Sequence, residues 1–274
     1  MNIKFDILFR ACDKVESVHN AKRLFGLNKK QTIKVSFMSL YKSLENYDAK
    51  FTIIGDDLSA EMLDFFGHFS SVEILNDKFG SAAKSLRKQL EVAYKIPDDH
   101  WVYLCEDDYL HVDYAFKYIF DLISKRKEYL STSGKKKNYY NKLIGNLAEA
   151  PLIIHPPDYP DRYISFWKRP AYVFLSKYCH WRQIINTTHT ILLQSSTIKN
   201  YKKQFFRSSI GPSDTILSEQ VYGRIFFKHK ALCISPIQGL STHMQENVVT
   251  PMIDWKIFFT KNKELLKKSN LWND

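Results

Sequence analysis

Residues 101–110 read WVYLCEDDYL: five apolar residues, three consecutive acids, then two more apolar residues. A run that is apolar at every position cannot divide itself between a wet and a dry face. Residues 101–105 are therefore expected as a strand covered on both sides, as at the centre of a parallel sheet. Glu106, Asp107 and Asp108 then fall at the carboxyl edge of that sheet, where open α/β sheets bind their ligands. Three adjacent carboxylates repel one another, and burying them together is costly unless a cation sits among them. A Mg²⁺ or Mn²⁺ ion, held by one or two carboxylates and by substrate phosphates, would meet that need. The plainer alternative is a solvated turn in which Asp107 or Asp108 caps the next helix.

Strand and helix alternate around this run. Residues 3–11, 51–55 and 72–75 read as strands, and residues 32–46, 59–66 and 81–95 as helices. The last helix is the clearest. Gly80 and Ser81 open it, Ala83, Leu86, Leu90 and Ala93 form one apolar stripe, and Pro97 ends it. Strands that bury both faces and alternate with helices predict an α/β fold with a doubly wound central sheet flanked by helices. After Lys125 the pattern loosens. Residues 135–142 (KKKNYYNK) and 155–163 (HPPDYPDRY) read as loops, and 171–175 and 231–235 as strands. Residues 177–186, 189–203, 213–227 and 255–268 read as helices, the last one basic and amphipathic. No repeat or linker interrupts the chain, so residues 1–274 are expected as one domain, with an elaborated half after residue 125.

The 274 residues carry 40 Lys+Arg against 29 Asp+Glu, a formal charge of +11. That balance favours an anionic partner: nucleic acid, a nucleotide or an acidic membrane surface. The hydrophobic share of 45% and charged share of 25% exclude a disordered or fibrous chain. Cys12, Cys105, Cys179 and Cys233 form no C-x-x-C pair and read as reduced thiols. Lys4, Asp6 and Arg10 break the early apolar run, so no signal peptide is expected, and no stretch is long enough for a membrane span. The expected location is cytoplasmic, free or peripheral at the inner face of a membrane. P-loop, dinucleotide-binding and α/β-hydrolase motifs are missing. So are zinc-finger, RRM and helix-turn-helix patterns, and nucleic acid is not an expected partner.

Two later segments join the acidic triplet: GPSDTILSE at residues 211–219 and GLSTHM at residues 239–244. With them the chain resembles the nucleotide-sugar-dependent glycosyltransferases of the GT-A fold, whose metal-binding D-x-D motif closes a hydrophobic strand. The resemblance is to a superfamily and covers the architecture of most of the chain. It implies a metal held by Asp108 and His243 with Glu106, and imidazole among carboxylates suits Mn²⁺ better than Mg²⁺. It implies Asp214 as general base of an inverting transfer, with Glu219 the weaker candidate, although Ser213-Asp214 stands where the family usually shows Glu-Asp. Glu106 and Asp107 would face the donor. Arg10, Asp13 and Asp56 at the strand ends would hold its nucleoside, and Lys84 and Arg87, three apart on one helix face, would point toward it.

On this reading residues 1–125 bind a nucleotide-sugar donor, a UDP-sugar first of all. Residues 126–274 bind a saccharide or glycolipid acceptor for hexosyl transfer, with Tyr163 and Trp167 stacking on sugar rings. Each residue also has a plainer role. Asp56 reads equally as a turn or cap residue, Asp214 as a helix-start acid, Glu219, Lys84 and Arg87 as solvated helix residues, and His243 as an ordinary surface histidine. The competing functions are a metal-dependent nucleotidyltransferase or nuclease, or a non-enzymatic basic protein binding nucleic acid or membranes. Against the nucleotidyltransferase, no glycine-rich loop follows the first strand, which runs on as RACDKVESV. Lys135–Lys137 with Tyr139 and Tyr140, and the helix WKIFFTKNKELLKK, combine cations with aromatics and are expected to be drawn to anionic lipid.

Overall fold

The computed structural model describes residues 3–15, 22–130, 147–164, 171–210, 214–223 and 230–272. Its first half builds the expected alternation: β1 (Phe5–Ala11), α1 (Lys29–Ser43), β2 (Ala49–Asp56), α2 (Ala60–Gly67), β3 (Val72–Asp77), α3 (Ala82–Ala93) and β4 (Trp101–Glu106). β5 (Tyr109–His111) and α4 (Ala115–Ser124) follow at once. The later strands are β6 (Leu152–Ile154), β7 (Val173–Leu175), β8 (His180–Gln183), β9 (Ile191–Gln194), β10 (Leu232–Ile237) and β11 (Ser241–His243).

Nine strands form one sheet in the order β3-β2-β1-β4-β9-β6-β10-β8-β7. β1 to β4 are parallel, whereas β9 runs antiparallel between β4 and β6, and β8 and β7 add antiparallel pairs at the far edge. The sheet is thus doubly wound in its first half and mixed overall. Its two faces follow from side-chain alternation along the strands. Phe5, Ile7 and Phe9 of β1 and Trp101, Tyr103 and Cys105 of β4 enter one core, with Phe37 of α1. Leu8, Val102 and Leu104 enter the other, with Leu86 and Leu90 of α3. Burying each such apolar side chain contributes about 1.5–3 kcal/mol, which holds the helices on both faces.

Three expected helices differ. Residues 177–186 contain β8, residues 189–203 begin with β9 before the helices Ser195–Asn200 and Lys202–Ser208, and the helix near Asp214 spans only Thr215–Gln220. The β-branched run Thr187, Thr188, Thr190 and Ile191 prefers the extended backbone, and a site in the middle of the sheet exploits it. The expected loop at 155–163 ends in a short helical turn, Asp161–Ile164. The basic stretch at 135–142, Trp167 and residues 211–213 lie outside the described residues.

β5 and β11 form a separate two-stranded antiparallel sheet, with Tyr109 opposite His243 and His111 opposite Ser241. Gly239 lets this ribbon start. Its φ is +35°, and a Cβ there would stand 2.2 Å from Cγ2 of Thr250.

Candidate active site

β1 leads through α1 to β2 on one side, while β4 lies on its other side. The crevice between the carboxyl ends of β1 and β4 is therefore the topological switch point of the sheet, the usual ligand position in open α/β folds. A cavity of about 750 Å³ opens there. Its walls include Arg10 and Cys12 at the end of β1, Asp56 at the end of β2, the acidic triplet at the end of β4, and His243 and Asp214 from the later half.

Each acid of the triplet meets a different cation. Glu106 accepts from Arg10 Nη2 at 2.6 Å and from the Thr190 hydroxyl at 3.2 Å. Asp107 accepts from Lys29 Nζ at 2.6 Å and from the Cys12 backbone N–H at 2.9 Å, joining the ends of β1 and β4 to the start of α1. Lys29 is placed there by a capping box, in which Asn28 and Gln31 bond each other's backbone N–H groups. Asp108 Oδ2 lies 2.9 Å from His243 Nε2, and its backbone carbonyl accepts from Met244 N–H at 2.8 Å. The His243 ring also stacks on Tyr109, with centroids 4.9 Å apart and planes 8° apart. The Tyr109 hydroxyl is held in turn by Tyr159 and Thr188.

These contacts set the charges. Burial opposes ionisation of Asp108, but His243, Lys29 and Arg10 overcome it and hold the carboxyl well below the usual range. Burial likewise opposes a charged His243, yet Asp108 and Glu106 raise its pKa above the ordinary value. Lys29 is kept charged against burial by Asp107 and Asp108. His189, also on the cavity wall, is pushed down to about 4 by burial and is neutral at pH 7.

The structure brings together Arg10, Asp56, Glu106, Asp107, Asp108, Asp214 and His243. Asp56 lines the cavity, but one of its oxygens accepts from the Phe79 and Gly80 N–H groups at 2.8 and 2.9 Å. Asp13 turns to Ser59, accepting from its N–H and hydroxyl. Lys84 and Arg87 stand outside the cavity wall. Arg87 pairs with Glu91 at 3.4 Å and lies over Phe206. Glu219 is half-buried on its helix, away from the wall. Tyr163 donates to buried Asp158 and carries Arg182 over its ring, also off the wall.

Among the described residues, no three His, Cys, Asp or Glu side chains gather into a metal-holding group. Glu106 does not gather with Asp108 and His243, and its two oxygens accept from Arg10 and Thr190. On the cavity wall, Asp108 and His243 present a carboxylate oxygen and an imidazole nitrogen side by side. That pair fits an ion that takes its remaining ligands from substrate oxygens, as Mg²⁺ and Mn²⁺ commonly do.

Lys29, Thr188, His189 and Thr190 were not singled out from sequence. Asn28 with Gln31 could have marked where α1 starts and so flagged Lys29, and the Thr-rich run could have flagged β9.

No family model matches the sequence, and no curated protein matches it. Among solved structures the chain is similar to a 4-diphosphocytidyl-2C-methyl-D-erythritol synthase, at 9% identity and a TM-score of 0.44, covering 97% of this chain and 99% of that one. It is similar to S. aureus TarS 1-349 at 13% identity and a TM-score of 0.44, covering 78% of this chain and 53% of that one. It is also similar to the galactosyltransferase LgtC in complex with donor and acceptor sugar analogs, at 11% identity and a TM-score of 0.41, covering 83% and 72%.

Proposed function

We propose that this chain is a glycosyltransferase that moves a sugar from a nucleotide-diphosphate donor, a UDP-sugar first, to a saccharide or lipid-linked acceptor with inversion. The observation that carries the reading is the meeting of Asp108 and His243 at 2.9 Å, 135 positions apart in the chain, at the switch point of the sheet and in one cavity with Asp214.

Charge supports a divalent ion. Asp56, Asp57, Glu106, Asp107, Asp108 and Asp214 line the cavity against Arg10, Lys14, Arg23, Lys29 and His243. The six carboxylates already outnumber the five side-chain cations, so a diphosphate entering the site adds negative charge that needs a further cation. Asp108 and His243 would hold that ion, which supplies charge compensation for the departing nucleoside diphosphate. Lys29 and Arg10 hold the rest of the triplet in place. Asp214 accepts the acceptor hydroxyl's proton as that oxygen attacks the anomeric carbon from the side opposite the leaving group.

The test is a screen of common nucleotide-sugars with Mn²⁺ or Mg²⁺, scoring nucleotide release with and without saccharide acceptors. Release from at least one donor, lost in EDTA, is expected. Pyrophosphate release from a nucleoside triphosphate, with no sugar nucleotide turned over, would overturn the reading in favour of nucleotidyl transfer.

A further inference from the structure

The helix Trp255–Lys268 has two unlike faces. Trp255, Asn262 and Leu266 are buried, and the helix packs on α1 and β5. The opposite face exposes Lys256, Lys261, Lys267 and Lys268 together with Ile257. Glu264 and Asp113, the latter paired with Lys261, leave that face positive.

Apolar side chains stand out beside these lysines. Met252 is 74% exposed, Ile257 61% and Phe25 37%. Phe25 stacks on Phe259 with centroids 4.3 Å apart, on the flank of the helix nearer buried Trp255 than the lysine face. Phe25 and Met252 both hold left-handed backbone, at φ 61° and 68°. Residues with a Cβ rarely adopt that conformation, yet here it presents large apolar side chains to the outside. No helix among the described residues is long and apolar enough to cross a membrane.

From this combination we propose that exposed Met252 and Ile257 and the lysines of the helix dock the protein on an anionic lipid surface. The lysines supply attraction to the headgroups, and Met252 and Ile257 enter the interface. A neutral protein partner would not call for the lysine excess. Residues 23–25 run from the cavity to this helix. Arg23 and Gln245 line that cavity and pair with each other as a β-bridge, and Leu24 N–H donates to the Met244 carbonyl at 3.1 Å. Docking therefore brings the cavity mouth to the lipid surface, where a lipid-linked acceptor would be presented. That last point rests on the glycosyl-transfer reading; the docking does not.

The test is co-sedimentation of the full chain with vesicles of phosphatidylglycerol in phosphatidylcholine, against pure phosphatidylcholine. Binding to the anionic vesicles alone is expected at low salt, fading at high salt as screening shortens the reach of the lysines. Lys267→Glu with Lys268→Glu should weaken partitioning by about tenfold or more. Met252→Glu with Ile257→Glu should do the same. All four positions are exposed, so both double variants should keep the parent's thermal midpoint and its nucleotide release from a soluble sugar nucleotide. The proposal is overturned if the parent stays in the supernatant at low salt, or if both double variants sediment like the parent. It is equally overturned if sedimentation velocity shows a dimer that both variants dissociate. Lost vesicle binding with intact nucleotide release removes this inference alone; intact vesicle binding with no sugar nucleotide turned over removes the glycosyl-transfer reading alone.

Discussion

The two acidic walls of the cavity are built in opposite ways. On the sheet wall, Glu106, Asp107 and Asp108 are consecutive, Asp107 is buried and its neighbours half-buried, and each has its own cation: Arg10, Lys29 and His243. On the other wall Asp214 stands at the head of the short Thr215–Gln220 helix, partly exposed, with no side-chain cap bond. A buried carboxylate must be compensated where it stands, and on the sheet wall each acid has its paired cation. Asp214, half-buried on the cavity wall, keeps the access to the cavity that the proposed general base needs.

The largest effect expected from this contrast is at Asp108. Asp108→Ala should lower nucleotide release by about 10³-fold or more, since metal compensation of leaving-group charge is worth several kcal/mol. Far-UV circular dichroism should remain that of the parent. Full turnover by this variant, or by the parent in EDTA, would break the comparison at its first wall.

Next comes Lys29. Lys29→Met leaves Asp107 buried without its cation, which should cost about 3 kcal/mol in guanidinium unfolding. Adding Asp107→Asn removes the stranded charge, and the double variant should regain most of that loss. A single variant as stable as the double would show that the pair is not coupled through burial.

Asp214→Asn is nearly isosteric and should lower kcat by about 10²-fold while KM for the donor stays near the parent's. Parent-like turnover, or a product that keeps the donor's anomeric configuration, would remove Asp214 as the base. The smallest effect is expected at Lys84 and Arg87, which stand off both walls. Their double alanine variant should change stability by no more than about 0.5 kcal/mol and leave donor KM unchanged. A clear rise in KM would instead return this helix face to the donor.

Much of the first half was legible because its signals are local. β1, β2, β3 and β4 are apolar runs, α3 carries an apolar stripe opened by Ser81, whose hydroxyl accepts from Lys84 N–H, and the helix Trp255–Lys268 has the bounds its pattern predicts. Residues 177–186 and 189–203 misled because their apolar spacing suits a helix and a strand alike. What decides β9 is its place between β4 and β6, partners about 40 and 90 residues away, and no local window holds that information.

For the site, the sequence by itself determined that three carboxylates close a fully buried strand and must therefore meet compensating charge at the sheet's carboxyl edge. It pointed to an added metal for that purpose. The tertiary structure supplies side-chain cations as well, bringing Arg10 to Glu106 across 96 positions, Lys29 to Asp107 across 78 and His243 to Asp108 across 135. The reason is physical. Coulomb attraction depends on distance in space and on local burial, not on separation along the chain, so the demand for cations is written beside the acids while the supply is set by how β1, α1 and β11 pack around them.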